Sequence, residues 1–74
     1  MTIDELLTAV YPELDGLEYP EKRDEFIRKE LPQVLQISWQ AVYKWDKKYF
    51  GVIPPARAIE LVRHYNIDPQ TLIK

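Results

Sequence analysis

Apolar residues recur at helical spacing in several short segments of the chain, and prolines and glycines separate these segments. The first segment has a single apolar stripe, formed by Ile3, Leu6, Leu7 and Val10. Thr2 precedes the stripe as a helix N-cap, and Glu5 three residues later completes a capping-box pattern. We therefore predict a helix over about residues 3–10, followed by a loop that reaches residue 19.

A second stripe follows Pro20, which suits the first position of a helix. Its members are Phe26, Ile27 and Leu31. Pro32 then has no amide hydrogen, and its ring would clash with the carbonyl group four residues earlier in a continuous helix. The sequence predicts a helix over about 20–31 and a separate short helix that begins at Pro32.

The segment after Ser38 has two faces of different character. Ser38, the only serine of the chain, suits an N-cap. One face of the following helix holds Ala41, Val42 and Trp45, and the other holds Trp39, Gln40, Tyr43, Lys44 and Lys47. We predict a helix up to residue 48 that turns Val42 and Trp45 into the core.

Helical patterns also account for the rest of the chain. A turn at Gly51 leads to a helix over about 55–66, with Pro55 near its start and Asn66 as C-cap, and Asp68 caps a last short helix. We predict one all-α domain over 1–74, built of about five short helices. Its parts are an N-terminal helix and loop over 1–19, a core over about 20–48 and C-terminal helices over 54–73.

Composition restricts the classes of function. The 74 residues are 46% hydrophobic and include no cysteine, which indicates a folded domain without disulfides or a Cys-type zinc site. The single histidine, His64, has no companion ligands, and neither it nor Ser38 belongs to a nucleophile–base motif. No apolar run reaches membrane-spanning length. We expect a cytoplasmic protein that is not an enzyme and has no cofactor, metal, membrane partner or small-molecule substrate.

Charge is segregated along the chain although the net charge is only −2. Residues 1–20 contain five acidic residues and no basic one, whereas residues 38–63 contain five basic and two acidic residues. This distribution is typical of a small basic face on an acidic body. Charge alone does not separate that interpretation from ordinary solvated helix faces.

The run LPQVLQISWQAVYKWDKKYFGVIPPARAIELV carries a family resemblance. The matching positions are Leu35, Ile37, Ser38, Ala41, Val42, Trp45, Ile53, Pro54 and Arg57. Through them, residues 28–73 resemble the helix-turn-helix core of the Cro-like and YdaS-like phage and prophage regulators, a fold of the lambda-repressor type. Gln36 stands where the inter-helix turn of these regulators usually has glycine, so the resemblance requires a left-handed backbone at Gln36.

The resemblance implies sequence-specific DNA binding by a transcriptional repressor that inserts the helix over 38–48 into the major groove of an operator. The residues that would read bases are Ser38, Trp39, Gln40, Tyr43 and Lys44. The residues that would contact phosphates are Lys47, Lys48 and Arg57. The expected partner is a double-stranded operator, bound by a homodimer that forms in solution or only on the DNA.

Three less specific interpretations of these residues stay open from the sequence. Trp39 and Tyr43 could contact another protein, as in an anti-repressor or antitoxin-like module, or could cover the acidic N-terminal segment. Arg57 could form an ion pair with Glu60, three residues later on the same helix, in place of a phosphate contact.

Overall fold

Helix α1 begins where the capping box predicts it. In the computed structural model, which describes residues 1–68, α1 spans Ile3–Val10. The amide of Glu5 donates to the Thr2 hydroxyl at 3.1 Å, and the Thr2 amide donates to the Glu5 carboxylate at 2.9 Å. These two bonds satisfy amides that have no partner within the helix, so the local sequence determines where α1 begins.

The described residues form a small all-α domain. Their other helical elements are α2 (Tyr19–Glu25), a π turn (Phe26–Glu30), α3 (Leu31–Leu35), α4 (Trp39–Lys48) and α5 (Pro55–His64). Among the described residues, the only β-type backbone pairing is one antiparallel bridge between Thr2 and Val52. No helix in this part of the chain has the length and apolar character needed to cross a membrane. The short helix predicted after Asp68 lies outside the described residues.

The prediction that a separate helix begins at Pro32 is wrong in its boundary. α3 begins at Leu31, directly after the π turn. The backbone stays right-handed and helical from α2 through α3, and the turn before Leu31 widens so that the Leu31 amide donates to the Phe26 carbonyl. This widening shifts the hydrogen-bond register by one residue. Pro32 consequently lies in the first turn of α3, where an amide hydrogen is not required.

The core forms from the stripes that the sequence shows. Its buried side chains are Ile3, Leu6, Leu7, Phe26, Ile27, Leu31, Leu35, Val42, Trp45, Ile53 and Leu61. The π turn and α3 run through the centre, where α4 packs against both and α5 packs against α3. Burial of one such aliphatic or aromatic side chain stabilises the fold by about 1.5–3 kcal/mol.

Left-handed residues end three of the helices. Gln36 has φ 56° and ψ 44° at the end of α3, as the family resemblance requires. Phe50 (φ 56°) follows α4, and Gly51 with φ 80° completes that turn. Asn66, also left-handed at φ 53°, follows α5, but the capping residue is Tyr65, so α5 ends earlier than predicted.

Arg23 connects three helices through two carboxylates. Its Nη2 atom donates to Asp46 Oδ1 of α4 at 2.6 Å, and its Nε atom donates to Asp4 Oδ1 of α1 at 2.8 Å. Hydrogen bonding from Arg23 lowers the pKa of both carboxyl groups below the ordinary value of 3.8. Both aspartates are therefore charged at neutral pH, and α4 is fixed against α1 and α2.

Acid is expected to weaken this connection. A carboxyl group with a lowered pKa in the folded state stabilises the fold above its unfolded pKa, and this stabilisation is lost as the pH falls through the folded pKa. Asp46→Asn should reduce the free energy of unfolding at neutral pH, and the difference from wild type should shrink as the pH falls below the ordinary pKa of an aspartate and then through the lowered pKa of Asp46. Urea unfolding at several pH values measures it. A difference that does not change with pH would contradict the ion-pair account.

Candidate functional site

The predicted facing of α4 is confirmed. Val42 is fully buried and Trp45 is 8% exposed, so one side of the helix belongs to the core. Ser38 has the extended backbone of an N-cap, with φ −71° and ψ 150°, but its hydroxyl forms no capping hydrogen bond. The position of Ser38 is thus as predicted, and its side chain stays available at the start of the exposed face.

The outer side of α4 brings together most of the predicted site. The exposed residues are Ser38, Trp39, Gln40, Tyr43, Lys44, Lys47 and Lys48. All five residues predicted to read bases and two of the three predicted to contact phosphates therefore lie on one helix and its cap. We call this set the α4 face.

Arg57, the third predicted phosphate contact, lies on α5 and interacts with its own helix. Its Nη1 atom donates to Glu60 Oε1 at 3.0 Å, the pairing that the sequence left open. Both side chains are more than a third exposed. Such exposed pairs contribute about 0.3–0.5 kcal/mol, so Arg57 would lose little by turning to another anion.

The two exposed aromatic residues of the α4 face form a cluster with cations. The Trp39 and Tyr43 rings meet edge to face, with centroids 5.8 Å apart. Arg28 Cζ lies 4.9 Å from the Trp39 centroid, and Lys47 Nζ lies 5.6 Å from the Tyr43 centroid. Both rings therefore lie against cations. The cluster holds flat apolar surface and positive charge side by side.

Arg28 was missed by the sequence reasoning. It lies in the π turn, and its Nε atom donates to Asp24 Oδ1 at 2.8 Å, which raises the pKa of Arg28 further. The pairing with Asp24 is visible in the sequence as an i,i+4 pair. The contact with Trp39 is not, because it depends on how α4 crosses the π turn.

The α4 face itself carries three lysines and no carboxylate, because the one acidic residue of α4 is turned toward Arg23. Asp46 is the only acidic residue of α4, and its side chain is 13% exposed while it accepts from Arg23. Within residues 1–68, Lys44 and Lys48 form no ion pair, and Lys47 Nζ lies 3.9 Å from Asp46 Oδ2 of the same helix. The face consequently presents cations, one amide and two aromatic rings to solvent.

The described residues contain no group of His, Cys, Asp or Glu side chains that would suit a metal ion. The α4 face likewise contains no carboxylate or histidine that could act as a general base beside Ser38. Its hydrogen-bonding groups and cations are suited to binding an extended anionic surface.

Comparisons of the chain with family models, curated proteins and solved structures found no match. The resemblance to Cro-like regulators stays a prediction from the residues that carry it.

Proposed function

We propose that the chain is a helix-turn-helix DNA-binding domain that acts as a Cro-like transcriptional repressor of the phage or prophage kind and reads its operator with α4. The observation that carries the proposal is the α4 face, where Gln40 and Lys44 are exposed beside a cation–aromatic cluster. The short turn between α3 and α4, closed by left-handed Gln36, supports it, because helix-turn-helix motifs use such turns.

The chemistry of the α4 face fits the edges of base pairs. A glutamine amide can pair bidentately with adenine, and a lysine ammonium can donate to guanine in the major groove. Trp39 and Tyr43 offer apolar surface to thymine methyl groups. Phosphate contacts come from Lys47, Lys48 and Arg57, and Arg28 at the edge of the face adds a further cation near the start of α4.

The length of α4 implies a dimer on DNA. Ten residues of helix are about 15 Å long, which spans about four to five base pairs. So short a stretch recurs too often in a genome to define one site. Two copies are therefore expected to read half-sites about 10 base pairs apart on a near-palindromic operator.

Gln40→Ala or Lys44→Ala is expected to weaken binding to the specific duplex by about 1–3 kcal/mol and to relax the preference at one base pair. Both side chains are exposed, so the fold should be unaffected. Lys29→Ala is a matched control, because it removes an exposed positive charge outside the α4 face. Titration of a labelled operator measures the affinities, and unchanged binding by the Gln40→Ala/Lys44→Ala double variant would rule out α4 as the reading helix.

The second candidate function is a protein-binding module of the anti-repressor or antitoxin-like kind. The observation that favours it is the exposed part of the cation–aromatic cluster, since aromatic residues and arginine are enriched at protein interfaces. The two functions respond differently to salt and to DNA. A domain that binds protein through Trp39 and Tyr43 would show no preference among duplex sequences.

A further inference from the structure

An open apolar groove lies between the second half of α4 and the chain that follows it. The groove has a volume of about 650 Å³. Its lining includes Trp45, Tyr49, Phe50, Val52 and Pro55, with Lys44 and Lys48 along the α4 side. Phe50 is 92% exposed, and exposure of a phenylalanine side chain to water is unfavourable. Phe50 also has a left-handed backbone conformation.

A second exposed apolar residue lies in the acidic loop over 12–18. Leu17 is 92% exposed, and the acidic residues Glu13, Asp15 and Glu18 surround it in the sequence. The amides of Leu17 and Glu18 both donate to Asp15 Oδ1, at 2.9 and 2.8 Å. These bonds order the loop, so Leu17 is presented by a turn of defined shape.

We propose that the groove binds the acidic Leu17 loop of a second copy of the chain. Leu17 would enter the apolar groove beside Phe50, and the loop carboxylates would face Lys44 and Lys48. Because Leu17 is 92% exposed, it does not fill the groove of its own chain. The two surfaces match in charge and in apolar character, and both are otherwise open to water.

A head-to-tail arrangement follows from the charges. If two grooves faced each other across a two-fold axis, Lys44 and Lys48 of one copy would lie against the same lysines of the other, and like charges repel. A loop in a groove pairs opposite charges instead. Where one loop enters one groove without the reciprocal contact, a groove stays free at one end and a loop at the other, so association continues into a ring or an open chain.

The contact is small, so the association is weak. One seven-residue loop buries less than the 1,200 Å² or so that stable complexes need. The interaction therefore operates at high local concentration. It also involves Lys44, which belongs to the α4 face, so self-association would compete with DNA. This consequence rests on the proposed function, whereas the association itself does not.

Sedimentation equilibrium of the full chain without DNA tests the proposal. The wild type is expected to associate increasingly with concentration, and more at low salt than at high salt. Leu17→Asn removes the loop's apolar contact and Phe50→Asn removes that of the groove, while asparagine tolerates the left-handed backbone at Phe50. Each variant alone should associate at least about tenfold more weakly, because each loses the burial of one large apolar side chain.

Mixing the two variants gives the decisive result. Leu17→Asn keeps an intact groove and Phe50→Asn keeps an intact loop, so the mixture should form a heterodimer that grows no further. Circular dichroism checks that both variants are folded. A wild type that stays monomeric, a Leu17→Asn variant that associates like wild type, or a mixture that stays monomeric would each overturn the proposal. Because DNA is absent, these outcomes are independent of the proposed repressor function.

Discussion

Trp45→Ala is expected to leave the chain largely unfolded at room temperature. Trp45 is 8% exposed and lies on the core side of α4, so truncation of its side chain removes a large part of the core. Truncation of a buried tryptophan costs about 3–5 kcal/mol. A single hydrophobic core in a domain of 74 residues rarely supplies more than about 3–5 kcal/mol of stability, so this loss removes most or all of it. Far-UV circular dichroism and urea unfolding measure the effect.

Trp39→Ala is the matched control, because it deletes the same side chain from the other side of α4. Trp39 is 38% exposed, and its ring forms a cation–π contact with Arg28 and an edge-to-face contact with Tyr43. A cation–π contact at an exposed site contributes about 0.5–1 kcal/mol, so this variant should stay folded. Equal loss of helical signal in both variants would show that the assigned facing of α4 is wrong.

Operator affinity is expected to fall about a thousandfold between about 50 and about 200 mM salt. Lys47, Lys48 and Arg57 from each of two subunits would neutralise about six phosphates, which gives a slope near −5 in a plot of log affinity against log salt. The net charge of −2 does not oppose this, because Asp46 is paired with Arg23 and the acidic loop lies outside the α4 face. Fluorescence anisotropy across a salt series measures the slope.

Lys47→Ala provides the control for the phosphate count. Loss of one phosphate contact per subunit should reduce the magnitude of the slope by about 2 for a dimer. The preferred sequence should not change, because phosphate contacts carry no sequence information. A flat salt response with a 1:1 complex would instead favour the protein-binding function or a monomeric reader.

Most of the fold was predictable because its determinants are local. The capping box at Thr2 and Glu5, the apolar stripe of α1 and the two faces of α4 depend on residues a few positions apart, and the structure has them as predicted. The π turn was not predictable. Pro32 signals a disturbance of the helix, but whether the chain breaks or widens depends on how Phe26 and Ile27 are held in the core.

The part of the candidate site that depends on local sequence was also predictable. Helical periodicity determines which α4 side chains share a face, so the exposure of Gln40, Tyr43 and Lys44 followed from the sequence. The contact of Arg28 with Trp39 and the rotation of Asp46 toward Arg23 depend on the crossing of separate helices. These tertiary contacts determine the charge of the α4 face, and a single sequence does not specify them.

Selection of random duplexes by the full chain, followed by footprinting of the enriched sequence, tests the central claim most directly. The account predicts enrichment of a near-palindrome with half-sites about 10 base pairs apart, protected by two copies of the chain. The Gln40→Ala/Lys44→Ala double variant should lose this enrichment while retaining its fold. A wild type that enriches no sequence, or a double variant that enriches the same sequence as strongly, would contradict the assignment of α4 as the DNA-reading helix.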